Sequence, residues 1–253
     1  LPTAPYRAED VKRTVEHLTE LSGEGIKYVY LAVDAIAPSF LKKFAELLIE
    51  KNLNICWSTE LFLTEHFDSR LVNLLQRSGL LTASFGYESG SSRILELMGK
   101  GADRVEKVYR PVFDIIQQSK IGLQPKYFFG FPRETDEDRK LTVKLLDEYR
   151  DIFPVLTEAN IFDLTEGSIV AKKPNEYGVE NVKRKAEYDI NGACDYKHSD
   201  GSDILKSGDF RLFNKKINYF CMFERPWCGG IDTFHTKLYI ERYGRGVFAQ
   251  LAK

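Results

Sequence analysis

Apolar residues follow two alternating patterns from residue 8 to about residue 165. Stretches with apolar positions three or four residues apart predict helices, and they cover 8–22, 38–51, 66–78, 103–119 and 136–150. Short continuous apolar runs predict buried strands, and they cover 26–34, 53–62, 80–87, 122–131 and 156–164. Because single helices separate successive strands, the pattern favours parallel βα units. The sequence therefore predicts an α/β fold.

The alternation of helices and strands ends near residue 166. A polar stretch punctuated by glycine and proline follows, then an aromatic segment over 210–228, and a final helix is predicted over 232–252. We therefore expect two domains, with residues 1–165 forming a partial barrel and residues 166–253 forming a mixed, mostly helical C-terminal extension. The extension is a candidate substrate-binding cap.

Polar residues gather where the predicted strands end. Asp34, Glu60 and Glu88 stand at or near the ends of three strands, and the turn 130–134 follows a fourth. Gly86 lets a ligand approach the backbone closely, because glycine has no side chain. In parallel βα architectures, ligands bind at the carboxyl ends of the strands. The pattern predicts a shared polar site there; the alternative is that each acid caps a helix or pairs with a lysine.

Composition and charge narrow the class of protein. The 253 residues are 43% hydrophobic and 29% charged, with a net charge of −1, so the whole-chain charge does not indicate a nucleic-acid partner. No apolar run approaches the roughly 18 residues that a membrane-spanning helix needs, so no membrane partner is expected. No two of the four cysteines are spaced as a CxxC motif. We therefore expect no disulfide framework and a cytoplasmic location.

Three motifs, taken in order along the chain, resemble one enzyme family. They are FGYESGS at 85–91, ILELMGKG at 94–101 and FGFPRET at 129–135. They resemble the strands of radical S-adenosylmethionine (SAM) enzymes, and most closely the branch associated with cobalamin-binding domains, whose pattern is FGxESGS, VLxxMxKG and GFPxET. The resemblance covers about residues 5–170. It implies a partial parallel (β/α)6 TIM-like barrel that lacks its first strand.

The resemblance also implies a set of SAM-binding residues. These are Asp34 for the amino group, Ser58 and Glu60 for the ribose and methionine moiety, Gly86 beside Glu88 and Ser89 for the ribose or methionine end, Lys100 for the carboxylate, Phe128, Phe129, Gly130 and Phe131 against the adenine, and Ile161 and Phe162 at the adenine edge. Acids and glycine backbone suit SAM, because this ligand carries cationic sulfonium and ammonium groups.

The family's CxxxCxxC loop, which ligates a 4Fe–4S cluster, does not occur in the sequence. Cys56, Cys194, Cys221 and Cys228 do not have that spacing. We therefore expect no metal ligands in this chain, cluster cysteines upstream of it, and a sequence that is the interior of a longer gene product. On its own the chain is expected not to cleave SAM.

The function implied by the resemblance is that of a radical SAM enzyme. Such an enzyme generates a 5′-deoxyadenosyl radical from a 4Fe–4S cluster and SAM, and it modifies a small organic or peptide substrate by methylation or another C–H functionalisation. Cobalamin is a further cofactor of that branch. The implied reductant is a flavodoxin or a ferredoxin, and no nucleic-acid partner is expected.

The C-terminal segment 221–235 holds a second set of candidates. Cys221, Cys228 and His235 are candidate catalytic residues, as donors of hydrogen or a proton, or as ligands of a soft metal. The alternative for this segment is an aromatic satellite core that closes the barrel mouth.

Two other functions also account for part of the pattern. One is a non-catalytic binding subunit that keeps the barrel without a cluster, which an upstream CxxxCxxC loop would exclude. The other is a barrel hydrolase in which Glu60 and Glu88 act as an acid and base pair. A hydrolase predicts turnover without a cluster, and it does not explain the glycine and serine spacing after Glu88.

Overall fold

A computed structural model describes residues 10–33, 36, 38–154, 160–186, 190–201, 231 and 234–247. Five parallel strands form one sheet, in which each strand pairs with the next strand along the chain. They are β1 (Tyr28–Leu31), β2 (Cys56–Leu61), β3 (Leu80–Glu88), β4 (Gly122–Phe129) and β5 (Asn160–Ile161). A twisted sheet built in this order curls into a half-barrel. The predicted partial, parallel TIM-like barrel is confirmed.

Helices connect the strands of the half-barrel. They are α1 (Val11–Gly23), α2 (Pro38–Glu50), α3 (Ser69–Arg77), α4 (Ser92–Leu97), α5 (Arg110–Gln117) and α6 (Asp136–Glu148). The side chains of Asp10, Asp68 and Ser91 each accept a backbone N–H from the first turn of the helix that follows, which fixes where these helices begin. α6 begins with a capping box between Thr135 and Asp138.

Aromatic residues build the core between strands and helices. Trp57 of β2 packs edge-on against Phe44 of α2, with ring centroids 5.1 Å apart. Phe85 of β3 packs against Phe113 of α5 at 5.7 Å. Burying one such side chain stabilises the fold by roughly 1.5–3 kcal/mol. Because strand residues alternate between faces, the residues next to Trp57 and Phe85 face the concave side.

Three elements differ from their sequence patterns. Within the described residues, β1 covers Tyr28–Leu31 of the predicted 26–34, where it pairs with β2 residue by residue. The helix predicted over 103–119 is α5 preceded by a π-helical turn, Val105–Tyr109. Pro111 lies in the first turn of α5, a place that suits proline because it lacks an N–H. The strand predicted over 156–164 contributes to two different sheets.

The described part of the C-terminal extension is mixed, as predicted. A small antiparallel sheet has the order β6–β8–β7 and consists of β6 (Leu164–Thr165), β7 (Val179–Arg184) and β8 (Ala193–His198). The described residues of the extension also form two α-helices, α7 (Ile169–Lys172) and α8 (Phe234–Tyr243). The domain boundary after residue 165 stays a prediction.

α8 packs against β1, β2 and β3. Glu241 of α8 pairs with Lys27 at 2.6 Å and accepts a hydrogen bond from Tyr28 at 2.5 Å. The C-terminal extension is therefore tied to the first strand of the half-barrel. Among the described helices, none combines the length and the apolar character that crossing a membrane requires.

Candidate functional site

A cavity of about 390 Å³ opens at the carboxyl ends of β2, β3 and β4. Five predicted site residues line it, namely Glu60, Gly86, Glu88, Lys100 and Phe128. The remaining lining residues are Leu61, Phe62, Lys126, Tyr127 and Asn160. The structure therefore brings together the strand-end acids of β2 and β3, because the carboxyl ends of neighbouring parallel strands meet at one edge of the sheet.

Glu60 lies near the end of β2. Its carboxylate accepts a hydrogen bond from Tyr30 of β1 at 3.3 Å, and it forms an ion pair with Lys126 of β4. The Glu60 side chain is 28% exposed and that of Lys126 is 50% exposed. The acid of this pair thus lies deeper in the cavity than the base.

Glu88 ends β3 in the left-handed backbone region, with φ of 63°. This conformation costs a residue other than glycine roughly 1–3 kcal/mol. Its carboxylate accepts a hydrogen bond from Lys100 at 2.7 Å. A Cβ atom on Gly86 would lie 2.7 Å from the Glu88 Oε1 atom. The missing side chain of Gly86 therefore leaves the room that the carboxylate of Glu88 occupies.

Lys126 is a site residue that the motifs did not predict. It is the register partner of Gly86, while Ser84, two residues earlier on β3, is the partner of Glu60. The lysine reaches from β4 across β3 to β2, two inter-strand spacings of about 4.8 Å each. The small side chains along β3 leave that crossing open. Alternation along β4 was the available signal, because it places Gln124, Lys126 and Phe128 on one face.

Ser89 lies outside the cavity. It is fully buried, its hydroxyl is hydrogen-bonded to that of Thr142 of α6 at 3.1 Å, and it accepts the Ser91 N–H at 3.1 Å. The N–H of Gly90 also donates to the Thr142 hydroxyl, at 2.9 Å. These contacts anchor the loop after Glu88 to α6, so Ser89 positions the loop rather than facing a ligand.

Asp138 extends this anchor. Its carboxylate accepts hydrogen bonds from Ser91 at 2.6 Å, from Arg93, and from the Thr135 hydroxyl at 2.7 Å. Burial opposes ionisation, but the hydrogen bonds from Arg93, Ser91 and Thr135 outweigh it and lower the pKa of Asp138 to about 2. The first and third motifs thus meet at one ionised carboxylate.

The turn after β4 contains a buried acid, Glu134, whose side chain is 1% exposed. Its carboxylate accepts the Gly130 N–H at 2.6 Å and lies 3.4 Å from the guanidinium of Arg139. Burial raises the pKa of Glu134 to about 7, although the Gly130 N–H and Arg139 both act to lower it. The Gly130 N–H is therefore used within the turn, and the predicted place of Gly130 against the adenine stays a prediction.

The predicted adenine-binding aromatics face two directions. Phe129 is fully buried in the main core, whereas Phe128 lines the cavity. The ring of Phe162 lies 5.9 Å from that of Phe128 and 5.2 Å from that of Phe131. Ile161 pairs with Phe129 in the sheet and is 42% exposed. Phe128 thus forms part of the cavity wall with Phe162 packed against it, and the Phe129 ring lies in the core instead.

Ser58 is hydrogen-bonded to the C-terminal extension. Its hydroxyl donates a hydrogen bond to the Ile231 carbonyl at 2.7 Å. The same carbonyl accepts a second hydrogen bond from the Lys237 ammonium at 2.8 Å. His235 lies exposed in α8 and is not among the residues that line the cavity. Asp34, Cys221 and Cys228 lie outside the described residues, so their predicted roles stay predictions.

The sequence resembles curated enzymes over part of their length, although no protein-family model matches it. An uncharacterised methyltransferase of Pyrococcus horikoshii is 29% identical over 146 residues, which cover 55% of this chain and 30% of the relative. The bacteriochlorophyllide d C-12(1)-methyltransferase of Chlorobaculum tepidum is 28% identical over 121 residues, covering 47% and 26%. A tRNA-2-methylthio-N(6)-dimethylallyladenosine synthase of Pelotomaculum thermopropionicum is 31% identical over 183 residues, covering 67% and 39%.

Two solved structures superpose on this chain. The radical SAM methyltransferase TsrM from Kitasatospora setae, with cobalamin and a 4Fe–4S cluster bound, superposes with a TM-score of 0.61 over 84% of this chain and 48% of that chain, at 13% identity. The cobalamin-dependent SAM radical enzyme OxsB gives 0.60 over 97% and 42%, also at 13% identity. The chain shares the fold of these two enzymes. It spans between 26% and 39% of the three curated relatives.

A radical SAM fold implies an iron–sulfur cluster, and the described residues do not fit one. No group of three or more metal-binding side chains occurs within the described ranges. Cys56 is buried in β2, where burial and the nearby Glu241 carboxylate raise the pKa of its thiol to about 11. Cys194 is buried in β8, in the other sheet. Neither thiol is placed to ligate a cluster.

Proposed function

We propose that the strand-end cavity binds SAM and that this chain is the SAM-binding part of a radical SAM enzyme. The observation that carries the proposal is the pair of acid–lysine contacts around Gly86, at the carboxyl ends of β2–β4 in a radical SAM fold. SAM has a cationic sulfonium, an ammonium and a carboxylate. A cavity with two acids and two lysines offers a partner of opposite sign to each charged group.

The individual roles follow from position in the cavity. Glu60 and Glu88 provide the negative charge for the sulfonium, ammonium or ribose hydroxyl groups, and Lys100 provides a cation for the carboxylate. Gly86 forms the floor on which the ligand rests close to the backbone. Phe128 supplies an aromatic face for the adenine, with Phe162 behind it. Asp34 is proposed as a further contact to the amino group.

The whole protein is proposed to methylate or otherwise functionalise a C–H bond. Support comes from the named relatives, two of which are methyltransferases. A 4Fe–4S cluster would supply the electron for SAM cleavage, and its ligands would lie outside the described residues. Cobalamin as second cofactor, a flavodoxin or ferredoxin as reductant, and a small molecule or peptide as substrate belong to this proposal. So does a cytoplasmic location, which rests on the cysteine pattern.

An RNA substrate is the second candidate. It is supported by the tRNA-2-methylthio-N(6)-dimethylallyladenosine synthase that is 31% identical to this chain. Against it stands the net charge of −1, because RNA-binding proteins usually carry a strongly basic surface. Assaying the full-length protein with bulk tRNA and with small-molecule extracts separates the two candidates.

Gly86→Ala tests the proposed cavity. The new methyl group would lie 2.7 Å from the Glu88 Oε1 atom, so the carboxylate must leave its place, whereas the backbone need not move. We expect the affinity of the full-length, cluster-reconstituted protein for SAM to fall by about tenfold or more, because hydrogen bonds to charged groups contribute about 1.5–3 kcal/mol. The melting temperature should stay nearly unchanged. Equilibrium dialysis with labelled SAM provides the measurement.

Gly23→Ala is the matched control, since a Cβ atom at Gly23 meets nothing within 4 Å. The same anaerobic preparations are then assayed for 5′-deoxyadenosine. Wild-type protein that carries a cluster but neither binds SAM nor releases 5′-deoxyadenosine would contradict the proposed function. Equal SAM affinity in Gly86→Ala and the wild type would place the site elsewhere.

A further inference from the structure

Acids and bases of the cavity lie at different depths. The side chains of Glu60 and Glu88 are 28% and 20% exposed, whereas those of Lys126 and Lys100 are 50% and 36% exposed. Negative charge therefore lies deep and positive charge lies at the rim. A ligand that enters with its cationic groups first and leaves a carboxylate at the rim matches both layers.

Lys126 is the base of this rim that lies outside the three sequence motifs. Its ammonium crosses β3 above Gly86 and pairs with Glu60, which also accepts a hydrogen bond from Tyr30. In the ligand-free cavity Lys126 therefore neutralises Glu60. A ligand cation that approaches Glu60 competes with Lys126 for the same carboxylate, because like charges repel and both Lys126 and Tyr30 already contact the Oε1 atom of Glu60.

We propose that Lys126 is a specificity residue that selects zwitterionic ligands by binding their carboxylate; this inference rests on the SAM site proposed above. When the cationic end of the ligand binds Glu60, the pair between Glu60 and Lys126 opens. Lys126 then moves to the ligand carboxylate, beside Lys100. A ligand with the same cation but no carboxylate displaces Lys126 and gives it no new partner, which lowers its affinity.

The test compares SAM with decarboxylated SAM, which keeps the sulfonium and an amine but has no carboxylate. Equilibrium binding of both ligands is measured on the full-length, cluster-carrying protein. Lys126→Met is expected to weaken SAM binding by about tenfold. The same substitution should leave binding of decarboxylated SAM unchanged or make it tighter, because this ligand no longer competes with a lysine for Glu60. Lys126→Arg keeps the charge and should restore preference for SAM.

Lys107→Met is the matched control. Lys107 pairs with Asp103 at 2.5 Å on the surface, and neither residue lines the cavity, so both affinities should match the wild type. Lys126→Gln repeats the comparison with a polar side chain, in case the methionine variant folds poorly.

The possible outcomes separate the two proposals. If Lys126→Met and Lys126→Gln change both affinities equally, or leave SAM affinity unchanged, Lys126 is not a specificity residue and the SAM site itself stands. If the wild type binds neither ligand, the proposed function fails and the role of Lys126 fails with it. Weaker SAM binding without weaker binding of decarboxylated SAM supports both.

Discussion

Gly86 and Glu88 depend on each other at the end of β3. Glu88 adopts φ of 63°, and its carboxylate occupies the space that a side chain on residue 86 would need. The ladder between β3 and β4 shifts register between these two residues, which is how a bulge turns a side chain to a new direction. The strained backbone of Glu88 thus places a carboxylate in the cavity rather than in the core.

Glu134 shows how burial changes the chemistry of one residue. With a pKa raised from 4.5 to about 7, the native protein binds a proton between those pH values that the unfolded chain releases. The free energy of unfolding should therefore fall as pH rises from about 4.5 to about 7, and level off above that. The size of the effect is roughly 3 kcal/mol, because each pKa unit corresponds to about 1.36 kcal/mol.

Glu134→Gln should remove this pH dependence. Its free energy of unfolding relative to the wild type should rise by roughly 3 kcal/mol between pH 4.5 and pH 7. Urea unfolding at half-unit pH steps provides the measurement. Glu137→Gln is the control, because Glu137 is 77% exposed. Parallel stability curves for Glu134→Gln and the wild type would show that Glu134 titrates normally.

At the level of elements, the loop after β3 is clamped between α4 and α6. Ser89 and Gly90 bond to Thr142, while Ser91 bonds to Asp138. The clamp explains why serines and a glycine follow Glu88: two serines supply hydroxyls for the junction, and the glycine lets α6 approach. In the FGxESGS motif, Gly86 and Glu88 therefore face the cavity, whereas Ser89, Gly90 and Ser91 pack against α6.

Gly90→Ala should destabilise this junction strongly. The added Cβ would lie 2.4 Å from the Tyr87 hydroxyl, 2.7 Å from the Thr142 Cα and 2.8 Å from the Leu141 carbonyl oxygen. Two of these are backbone atoms of α6 that cannot yield alone, so we expect a loss of about 2–3 kcal/mol in the free energy of unfolding. Urea unfolding of Gly90→Ala, with Gly23→Ala as the control, measures this loss in the free energy of unfolding. A change below about 0.5 kcal/mol would mean that α6 moves freely away from β3.

Across the whole molecule, Arg245 joins the C-terminal extension to the centre of the chain. Its guanidinium donates to the carbonyls of Ile116 at 2.8 Å, Ile121 at 2.8 Å and Gln117 at 3.0 Å. Two of these carbonyls belong to the last turn of α5, and that of Ile116 also accepts the Ser119 N–H at 2.9 Å and the Ser119 hydroxyl at 2.8 Å. A positive charge is also favourable at a helix C-terminus. The extension is thus integrated with the half-barrel.

Arg245→Gln should lower the free energy of unfolding by about 2 kcal/mol, because it removes three hydrogen bonds that a charged donor makes to backbone carbonyls. For a chain of this size the melting temperature should fall by roughly 4–8 °C. Differential scanning calorimetry provides the measurement. Arg242→Gln is the matched control, since Arg242 is exposed and lies over the ring of Tyr243. Equal melting temperatures for the two variants would show that the extension is held by other contacts.

Sequence patterns were sufficient to predict that the strand-end acids lie together. They were insufficient to predict which side chains contact those acids. Glu60 and Glu88 could be predicted to lie together, because consecutive parallel strands end at one edge of the sheet. Lys126 could not, since its contact with Glu60 depends on a register between strands that lie far apart in sequence. Ser89 was expected to bind a ligand, yet it bonds to Thr142, because the turn at Glu88 reverses the direction of the next side chain.

The sequence by itself determined the order of helices and strands, their arrangement as parallel βα units, and the edge of the sheet at which polar residues gather. These follow from local periodicity and from motifs within single segments. Only the tertiary structure decided which motif residues line the cavity and that Lys126 lines it with them. It also decided that the Ser58 hydroxyl donates a hydrogen bond to the Ile231 carbonyl. Periodicity shows which residues share a face, whereas the direction of that face and its partners depend on contacts between distant segments.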